Sequence, residues 1–377
     1  AETFVLLKNE GNLLPLKKQG KIALIGPLAD TRNNIAGTWS VAQAPEKYTT
    51  IKEAMEKALD GKATLLYAQG SNIWRNHELQ KNGEQGKSIA WGDEVKMKNE
   101  ALQIAKEADV IVCAMGETAD MSGECASRTN LEMPDVQQEL LAELTKTGKP
   151  IVLLNFAGRP TVLSWENEHI PAIMNVWFGG SEVGDALCDV IFGDKVPSGK
   201  LTTSMPKTTG QEPLYYNHQN TGRPVPDDNQ KFAKFASNCL DVSNGPLYPF
   251  GYGLSYTTFE YGDLKLSSHE VNMDDWKITA TINVKNTGSR DADEVVQLYI
   301  RDMVASISRP VKELKGFQRI HLAAGESREI SFDITPEMLK FYNAELKHVI
   351  EPGDFQIMVG GNSKEVKTQN LTVKKHP

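Results

Sequence analysis

The stretch DVIVCAMGETADMSGECASRTNLEMPDVQQELLAEL, residues 109–144, decides the fold of the first half of this 377-residue chain. It opens with a short apolar run typical of a buried strand and closes with an amphipathic segment typical of a helix. Pro134 suits the first position of that helix, and Gly148 suits its C-terminal cap. The loop between strand and helix carries four carboxylates, those of Glu117, Asp120, Glu124 and Glu132. Because ligands bind beyond the carboxyl ends of strands in open α/β sheets, this loop is the first candidate for a functional site.

The same alternation of strand-like and helix-like segments extends over residues 21–206. Five short apolar runs predict strands: KIALIGP, KATLLYAQ, DVIVCAMG, PIVLLNFAG and AIMNVWFGG. Longer amphipathic segments lie between them, and Gly, Asp or Pro marks each change. Strands that alternate with helices pair in parallel, so this region is predicted to be a layered α/β sandwich domain.

The C-terminal part of the chain has a different period. From residue 262, segments such as WKITATINVKNTG and GDFQIMVGG alternate apolar and polar side chains, and turn sequences separate them. Short strands without long helices predict an all-β sandwich of the fibronectin type III-like or immunoglobulin kind over residues 262–377. Residues 207–261 are interpreted as an ordered connector, because their aromatic side chains would cost free energy in water. Residues 1–20 are interpreted as the end of a helix and a connector from a missing N-terminal portion.

Length and charge argue against several classes of function. The chain is longer than the ~250 to 300 residues at which a single core stops growing, so two or three domains are expected. A net charge of −8 and scattered lysines and arginines give no basic surface for nucleic acid or for anionic lipid. The apolar runs are far shorter than the ~20 residues of a membrane helix, and no signal peptide is recognised. We therefore expect no nucleic-acid partner and no membrane partner.

The cysteines argue against a metal site. The four of them, Cys113, Cys125, Cys188 and Cys239, form no C-x-x-C pair and have no histidine at ligand spacing. Cys113 and Cys188 fall in apolar segments and are predicted to be core thiols. A pairing of Cys125 with Cys239 in an oxidising compartment stays open. The sequence also lacks the motifs for phosphate binding, serine hydrolysis and zinc proteolysis.

Among the loop carboxylates, Glu124 has the most unusual surroundings. It lies between Gly123 and the small residues 125–127, a setting that would let the loop approach another surface closely and bury the carboxyl. Burial raises the pKa of a carboxyl, as a general acid that works near neutral pH requires. A solvated loop glutamate is the alternative. Glycoside hydrolysis also needs a second carboxyl across the scissile bond, and the sequence pattern selects no partner for Glu124.

Long, ordered motifs along the chain resemble a known enzyme family. They are TFVLLKNEGNLLPLKK, KIALIGPLAD, SGECASRTNLEMP, GRPTVLSWENE, WFGGSEVGDALCDVIFGDKVPSGKLTTSMP, PLYPFGYGLSYTTF and VKNTGSRDADEVVQLYIRD. Together they resemble the C-terminal portion of glycoside hydrolase family 3, and its bacterial periplasmic β-glucosidases in particular. The resemblance implies an N-terminal (β/α)8 barrel that is absent from this chain, followed by the α/β sandwich domain and the fibronectin type III-like domain.

The resemblance also assigns roles to residues of this chain. In the family the nucleophilic Asp lies on the barrel and the acid/base glutamate lies on a loop similar to SGECASR, which makes Glu124 the acid/base. Glu117 is a poorer alternative. Trp39, which follows the first predicted parallel strand, is implied to contact an outer sugar, with a buried core position as its alternative. Arg128 is expected to hydrogen-bond loop carbonyls and to hold Glu124 in place.

The function implied is that of a retaining, exo-acting β-glucosidase that hydrolyses terminal β-D-glucosyl residues of oligosaccharides or glucosides, with no metal and no other cofactor. The barrel domain of the same polypeptide is the implied partner, and the chain alone is expected to be inactive. A periplasmic or secreted location also follows from the resemblance. A β-xylosidase or other β-glycosidase of the family, a non-catalytic carbohydrate-binding or scaffolding module, and assembly as a homodimer stay open.

Overall fold

The computed structural model describes residues 1–83, 88–225, 234–273 and 275–375. The chain divides into two compact units. The first unit comprises Ala1–Gly199 and Pro206–Gly210, and the second comprises Lys200–Met205 and Gln211–Pro377. The first is an α/β unit and the second is mainly β, as the sequence predicts. The segments interpreted as connectors therefore belong to these units and do not stand apart from them.

A six-stranded sheet forms the centre of the described part of the first unit. Its strands are β1 (Val5–Asn9), β2 (Lys21–Ile25), β3 (Thr64–Ala68), β4 (Val110–Gly116), β5 (Ile151–Phe156) and β6 (Ala172–Asn175). Their spatial order is β1-β6-β5-β4-β2-β3. Strands β2 to β6, which are the five strands predicted from the sequence, pair in parallel with one another. The predicted parallel pairing is therefore confirmed.

Helices connect these strands and cover the sheet. They are α1 (Ile51–Leu59), α2 (His77–Asn82), α3 (Glu94–Glu107), α4 (Asp135–Thr145), α5 (Ser164–His169) and α6 (Val183–Ile191). The predicted apolar stripe of α4 is buried: Val136, Leu140, Leu141 and Leu144. Pro134 is the N-cap of α4, so the helix begins at Asp135, one position after the predicted first helical residue. A capping box fixes the start of α1, because Thr50 and Glu53 each accept a hydrogen bond from the other's backbone N–H.

The N-terminal segment differs from its interpretation as a helix end and a connector. Residues 5–9 form β1, which runs antiparallel to β6 at the edge of the sheet. Phe4 and Leu6 have no exposed surface. The run FVLL is apolar at every position, and such a run fits a buried strand as well as a buried helix. Packing against β6 therefore decides the conformation of this segment.

Two sheets form the β-sandwich of the second unit. The strands of this unit are β7 (Phe259–Tyr261), β8 (Lys265–Leu266), β9 (Glu270–Asn272), β10 (Ile278–Asn286), β11 (Ala292–Asp302), β12 (Glu313–Leu322), β13 (Ser327–Ile334), β14 (Phe341–Tyr342), β15 (His348–Val349), β16 (Gly353–Gly360) and β17 (Val366–Lys374), with a short helix α7 (Pro336–Leu339). One sheet has the order β13-β10-β7, with β8 also paired to β10, and the other has the order β12-β11-β16-β17-β9. Alternate residues such as Ile282 on β10 and Ile357 on β16 meet in one core. The predicted period-two sandwich is confirmed.

A buried carboxylate, that of Glu294 on β11, binds both Lys200 and the β7 residue Tyr261. Lys200 Nζ lies 3.0 Å from Glu294 Oε2, and Tyr261 Oη donates a hydrogen bond of 2.8 Å to Glu294 Oε1. Glu294 is only 4% exposed. Burial and the adjacent Glu294 carboxylate raise the pKa of the Tyr261 hydroxyl well above its usual value, so this hydroxyl stays a hydrogen-bond donor.

Glu166 of α5 is a buried carboxyl without a complete set of partners. The residue is 2% exposed, and its Oε1 has no hydrogen-bond partner among the described residues. Burial raises the pKa of this carboxyl to about 7, because the ionised form loses its hydration. The folded chain therefore favours the protonated form up to that pH.

We expect Glu166→Gln to remove a pH dependence of stability. The unfolded chain releases the Glu166 proton near pH 4.5, whereas the folded chain retains it up to about pH 7. The wild type therefore loses stability as the pH rises through this window, by about 3 kcal/mol in total. Urea unfolding midpoints near pH 5 and pH 8 measure the loss. Glu168→Gln, an exposed neighbour, is the control, and an unaltered pH dependence in Glu166→Gln would contradict the prediction.

Candidate active site

The strand order brings two loops to one point at the edge of the parallel sheet. Strand β2 has β3 on one side and β4 on the other. The direction in which successive strands are added therefore reverses at β2, and such a switch point opens a crevice at the carboxyl ends of the strands. Residues 26–50 follow β2, and residues 117–134 follow β4. Both loops begin at this crevice.

Trp39, on the loop after β2, lies beside the residue that precedes Glu124. A Cβ atom placed on Gly123 would be 3.4 Å from Trp39 Cε2, so this backbone and the indole are in contact. Trp39 and Gly123 also line a cavity of about 490 Å³, together with Thr38 and Trp177. The structure thus brings Trp39 next to the residue that precedes Glu124, although the two loops are far apart in sequence.

Glu124 and Trp39 are both exposed in this chain. Trp39 is 72% exposed, which excludes the alternative of a buried core position. Gly123, Glu124 and Cys125 are exposed as well. Among the described residues the Glu124 carboxyl is thus uncovered, at the apex that residues 123–125 form, and its burial against another surface stays a prediction.

A buried carboxylate anchors the loop after β4. Glu117 is 1% exposed. Its Oε1 accepts a hydrogen bond from Arg128 Nη1 at 2.8 Å and lies 3.1 Å from Arg159 Nε, while its Oε2 accepts one from Gly158 N at 3.2 Å. These groups compensate the desolvation of the carboxylate. Because they surround it, Glu117 has no free face for a substrate and does not suit the acid/base role.

Arg128 connects this anchor to the far end of the loop. Its Nη2 donates to Glu132 O at 2.9 Å, as expected for a residue that bonds loop carbonyls. It also pairs with Glu117, which the sequence pattern does not indicate. The Arg128 guanidinium lies 5.3 Å from the centre of the Trp74 ring, a cation–π contact that helps to orient it.

Arg159 is a site residue that the sequence analysis does not identify. Its Nη2 donates to Ala126 O at 2.6 Å and also to Met121 O. These two carbonyls lie on either side of Glu124 in the sequence. The available signal is its place in GRP, directly after an apolar run that forms a strand next to β4.

Two glycines allow the loops to approach one another. Gly123 has a φ of +98°, and a Cβ there would lie 2.8 Å from Thr38 Cγ2. A Cβ on Gly158 would lie 2.0 Å from Ser122 Oγ. A side chain at either position would therefore require Thr38 or Ser122 to move. This proximity lets Thr38 Oγ1 donate to Ser122 O at 2.9 Å.

Buried amide side chains hold the start of the loop after β4. Asn34 Oδ1 accepts a hydrogen bond from Ala119 N at 2.6 Å and so joins this loop to the loop after β2. Gln137 of α4 accepts from Gly116 N at 2.8 Å and donates to Gly116 O at 3.0 Å. Both amides are fully buried.

Within residues 1–83, 88–225, 234–273 and 275–375, no group of three or more His, Cys, Asp or Glu side chains could hold a metal ion. Cys113 and Cys188 are buried, as predicted, whereas Cys125 and Cys239 are exposed, and these four are free thiols. No helix in the described part of the chain is long and apolar enough to cross a membrane.

Comparison with known proteins decides the family. A model of the glycosyl hydrolase family 3 C-terminal domain matches residues 4–256, and a model of a fibronectin type III-like domain matches residues 294–363. The chain belongs to glycoside hydrolase family 3. The predicted resemblance is therefore confirmed, and so is the order of the two domains.

Several family 3 proteins are similar to this chain over nearly all of its length. A periplasmic beta-glucosidase of Salmonella typhimurium is 45% identical over 97% of this chain and 48% of its own length. A beta-xylosidase of Formosa agariphila is 37% identical over 99% of this chain and 49% of its own length. The crystal structure of a Listeria innocua beta-glucosidase with isofagomine has a TM-score of 0.87 at 36% identity, and covers 99% of this chain and 48% of that one. The chain spans about half the length of the curated relatives it matches.

We expect Glu117→Gln to destabilise the first unit of this family 3 chain by about 3 kcal/mol. Glutamine keeps the shape of the side chain but leaves two partly buried guanidinium groups without their counter-charge, and breaking a buried pair costs ~3 to 5 kcal/mol. Urea unfolding followed by tryptophan fluorescence measures the change. Glu132→Gln, in the same loop but exposed, should stay within about 0.5 kcal/mol of the wild type. An unchanged midpoint in Glu117→Gln would mean that the ion cluster of Glu117, Arg128 and Arg159 does not stabilise the unit.

Proposed function

We propose that this chain is the C-terminal part of a retaining, exo-acting β-glucosidase, in which Glu124 is the acid/base. The observation that carries the proposal is the place of Glu124: an exposed carboxyl on a loop that a buried ion cluster holds at the crevice of the sheet. A general acid has to reach the leaving oxygen of its substrate, and an exposed carboxyl in a fixed position can do so. The name of the Salmonella typhimurium relative supports a terminal β-D-glucosyl residue of an oligosaccharide or glucoside as substrate.

The proposed reaction needs two carboxylates, which lie about 5 to 5.5 Å apart in retaining enzymes. The nucleophilic Asp would come from the barrel domain, in the part of the relatives' length that this chain does not span. The Asp attacks the anomeric carbon while Glu124 gives its proton to the leaving oxygen. Glu124 then takes a proton from water, and the water releases the sugar with retained configuration. These steps need no metal and no organic cofactor, and the chain alone would not carry them out.

Trp39 is proposed to bind the sugar on the leaving-group side of the scissile bond. Its indole is 72% exposed, which is unfavourable for so large an apolar surface unless a partner covers it. The C–H face of a sugar stacks well on an indole. The contact of Trp39 with the backbone at Gly123, the residue before the proposed acid/base, supports this role.

A β-xylosidase is the second candidate, because the Formosa agariphila relative with that name covers this chain equally well. The values of kcat/KM for p-nitrophenyl β-glucoside and p-nitrophenyl β-xyloside, measured on the full-length enzyme, distinguish the two. Binding of both sugars without turnover would favour a non-catalytic carbohydrate-binding module. A periplasmic or secreted location is proposed from the name of the Salmonella typhimurium relative, and a homodimer stays a prediction.

In the full-length enzyme, Glu124→Ala should slow the hydrolysis of cellobiose far more than that of a dinitrophenyl β-glucoside. A sugar leaves only with a proton, whereas dinitrophenolate leaves without one, and general acid help is worth ~10² to 10⁴ in rate. The measurement is kcat/KM on both substrates. Glu132→Ala is the matched control in the same loop and should leave both values close to the wild type. The isolated 377-residue chain should hydrolyse neither substrate.

Azide tests the second step in the same variant. Without a base to activate water, the glycosyl-enzyme should accumulate in Glu124→Ala. Azide needs no deprotonation, so it should restore turnover and give the β-glycosyl azide with retained configuration. An α-glycosyl azide would identify Glu124 as the nucleophile. Equal loss on all substrates without rescue would identify it as a structural residue.

A further inference from the structure

We infer that Arg159 is a positioning residue for Glu124, which it holds through the backbone of residues 121–126. The inference rests on the proposed function of Glu124. Arg159 Nη2 donates hydrogen bonds to Ala126 O, at 2.6 Å, and to Met121 O. One carbonyl precedes Glu124 and the other follows it, so a single guanidinium group closes the segment that carries the carboxyl.

Glu117 keeps this guanidinium group in place. Arg159 Nε lies 3.1 Å from Glu117 Oε1, and the two side chains are 19% and 1% exposed. Gly158 N and Arg128 Nη1 hold the same carboxylate at 3.2 Å and 2.8 Å. Withdrawal of Arg159 would leave a buried charge with less compensation. Arg159 is therefore a fixed donor, unlike an arginine on an open surface.

The segment that Arg159 closes has an irregular backbone. Gly123 has a φ of +98° and Cys125 a φ of +58°, and the second value is unfavourable for a residue with a Cβ. The backbone hydrogen bond across this apex, from Ala126 N to Gly123 O, is long at 3.4 Å. Contacts from outside must therefore help to maintain one conformation. Position matters here, because a displacement of about 1 Å in a catalytic group can reduce the rate by ~10².

Substitution by lysine separates positioning from charge compensation. An ammonium group keeps the charge that Glu117 needs, but it lacks the planar set of donors that reaches a carboxylate and two carbonyls at once. Arg159→Lys should therefore fold and should loosen residues 121–126. Arg32→Lys is the matched control, because Arg32 also binds a carboxylate, that of Glu53, and a backbone carbonyl, that of Tyr48.

The mobility of the segment can be measured on this chain without any activity. Cys125 is exposed within the segment, so a nitroxide label on it reports the motion of residues 121–126, once Cys239→Ser has removed the other exposed thiol. The electron paramagnetic resonance line should sharpen in Arg159→Lys and stay unchanged in Arg32→Lys. An identical line in Arg159→Lys and its parent would overturn the inference. If the lysine variant does not fold, the second variant combines Arg159→Gln with Glu117→Gln, which removes both charges of this pair together.

Kinetics on the full-length enzyme test whether this ordering serves catalysis. Arg159→Lys should lower kcat/KM for cellobiose by about 10- to 100-fold, and for a dinitrophenyl β-glucoside by less than about threefold, because only the first substrate needs an accurately placed acid. An enzyme that is merely less stable would lose activity on both substrates equally, and that result would overturn the inference.

Glu124→Ala in the same assay distinguishes the failure of this inference from the failure of the proposed function. If the loss of kcat/KM depends on the leaving group in Glu124→Ala but not in Arg159→Lys, only the inference about Arg159 fails. If the loss of kcat/KM is independent of the leaving group in both variants, the proposed function fails and the inference fails with it. A leaving-group dependence in both variants, with the kcat/KM values of Arg32→Lys unchanged, supports the proposed function and the inference.

Discussion

The buried carboxylate of Glu117 is the constraint on which the rest of the candidate site depends. A carboxylate that is 1% exposed persists only where opposite charges and hydrogen-bond donors surround it. Here Arg128 comes from the same loop, whereas Gly158 and Arg159 follow β5. Strands β4 and β5 are adjacent and parallel, so the separation of the two loops at their start is set by the spacing of the strands. The loop after β4 is therefore fastened to the most regular part of the unit.

Further hydrogen bonds connect the loop that Glu117 anchors to the exposed residues of the site. Asn34 binds the backbone at Ala119, and Thr38 binds the backbone at Ser122, which fixes the loop after β2 against the loop after β4. Trp39 follows Thr38 directly and is exposed. Both loops begin at the switch point of the strand order, where open α/β sheets bind their ligands. The exposed side chains at the crevice are thus held in place by contacts that are themselves mostly buried.

The sequence predicts the parts of this structure that depend on local pattern. Burial on both faces of a parallel sheet leaves continuous apolar runs, and burial on one face of a sandwich strand leaves alternation, so β2 to β6 and the sandwich are correctly predicted. The loop of Glu124 is selected because it follows a strand. Arg159 and the pairing of Glu117 are not predicted, because Gly158 and Glu117 are 41 residues apart and meet only once β4 and β5 are adjacent. Strand β1 is also not predicted, since its apolar run fits a helix equally well.

The ion cluster specifies one loop conformation, which an apolar core of the same volume could not do. Buried ion pairs can often be replaced by hydrophobic side chains without loss of stability. In this loop, however, the two arginines also bind the carbonyls of residues 121, 126 and 132, and apolar side chains would leave these carbonyls without donors. The small residues around Glu124 distinguish it from the other carboxylates of the loop in the sequence. Its position in the fold depends instead on Glu117, Arg128 and Arg159, which bind the backbone on both sides of the apex.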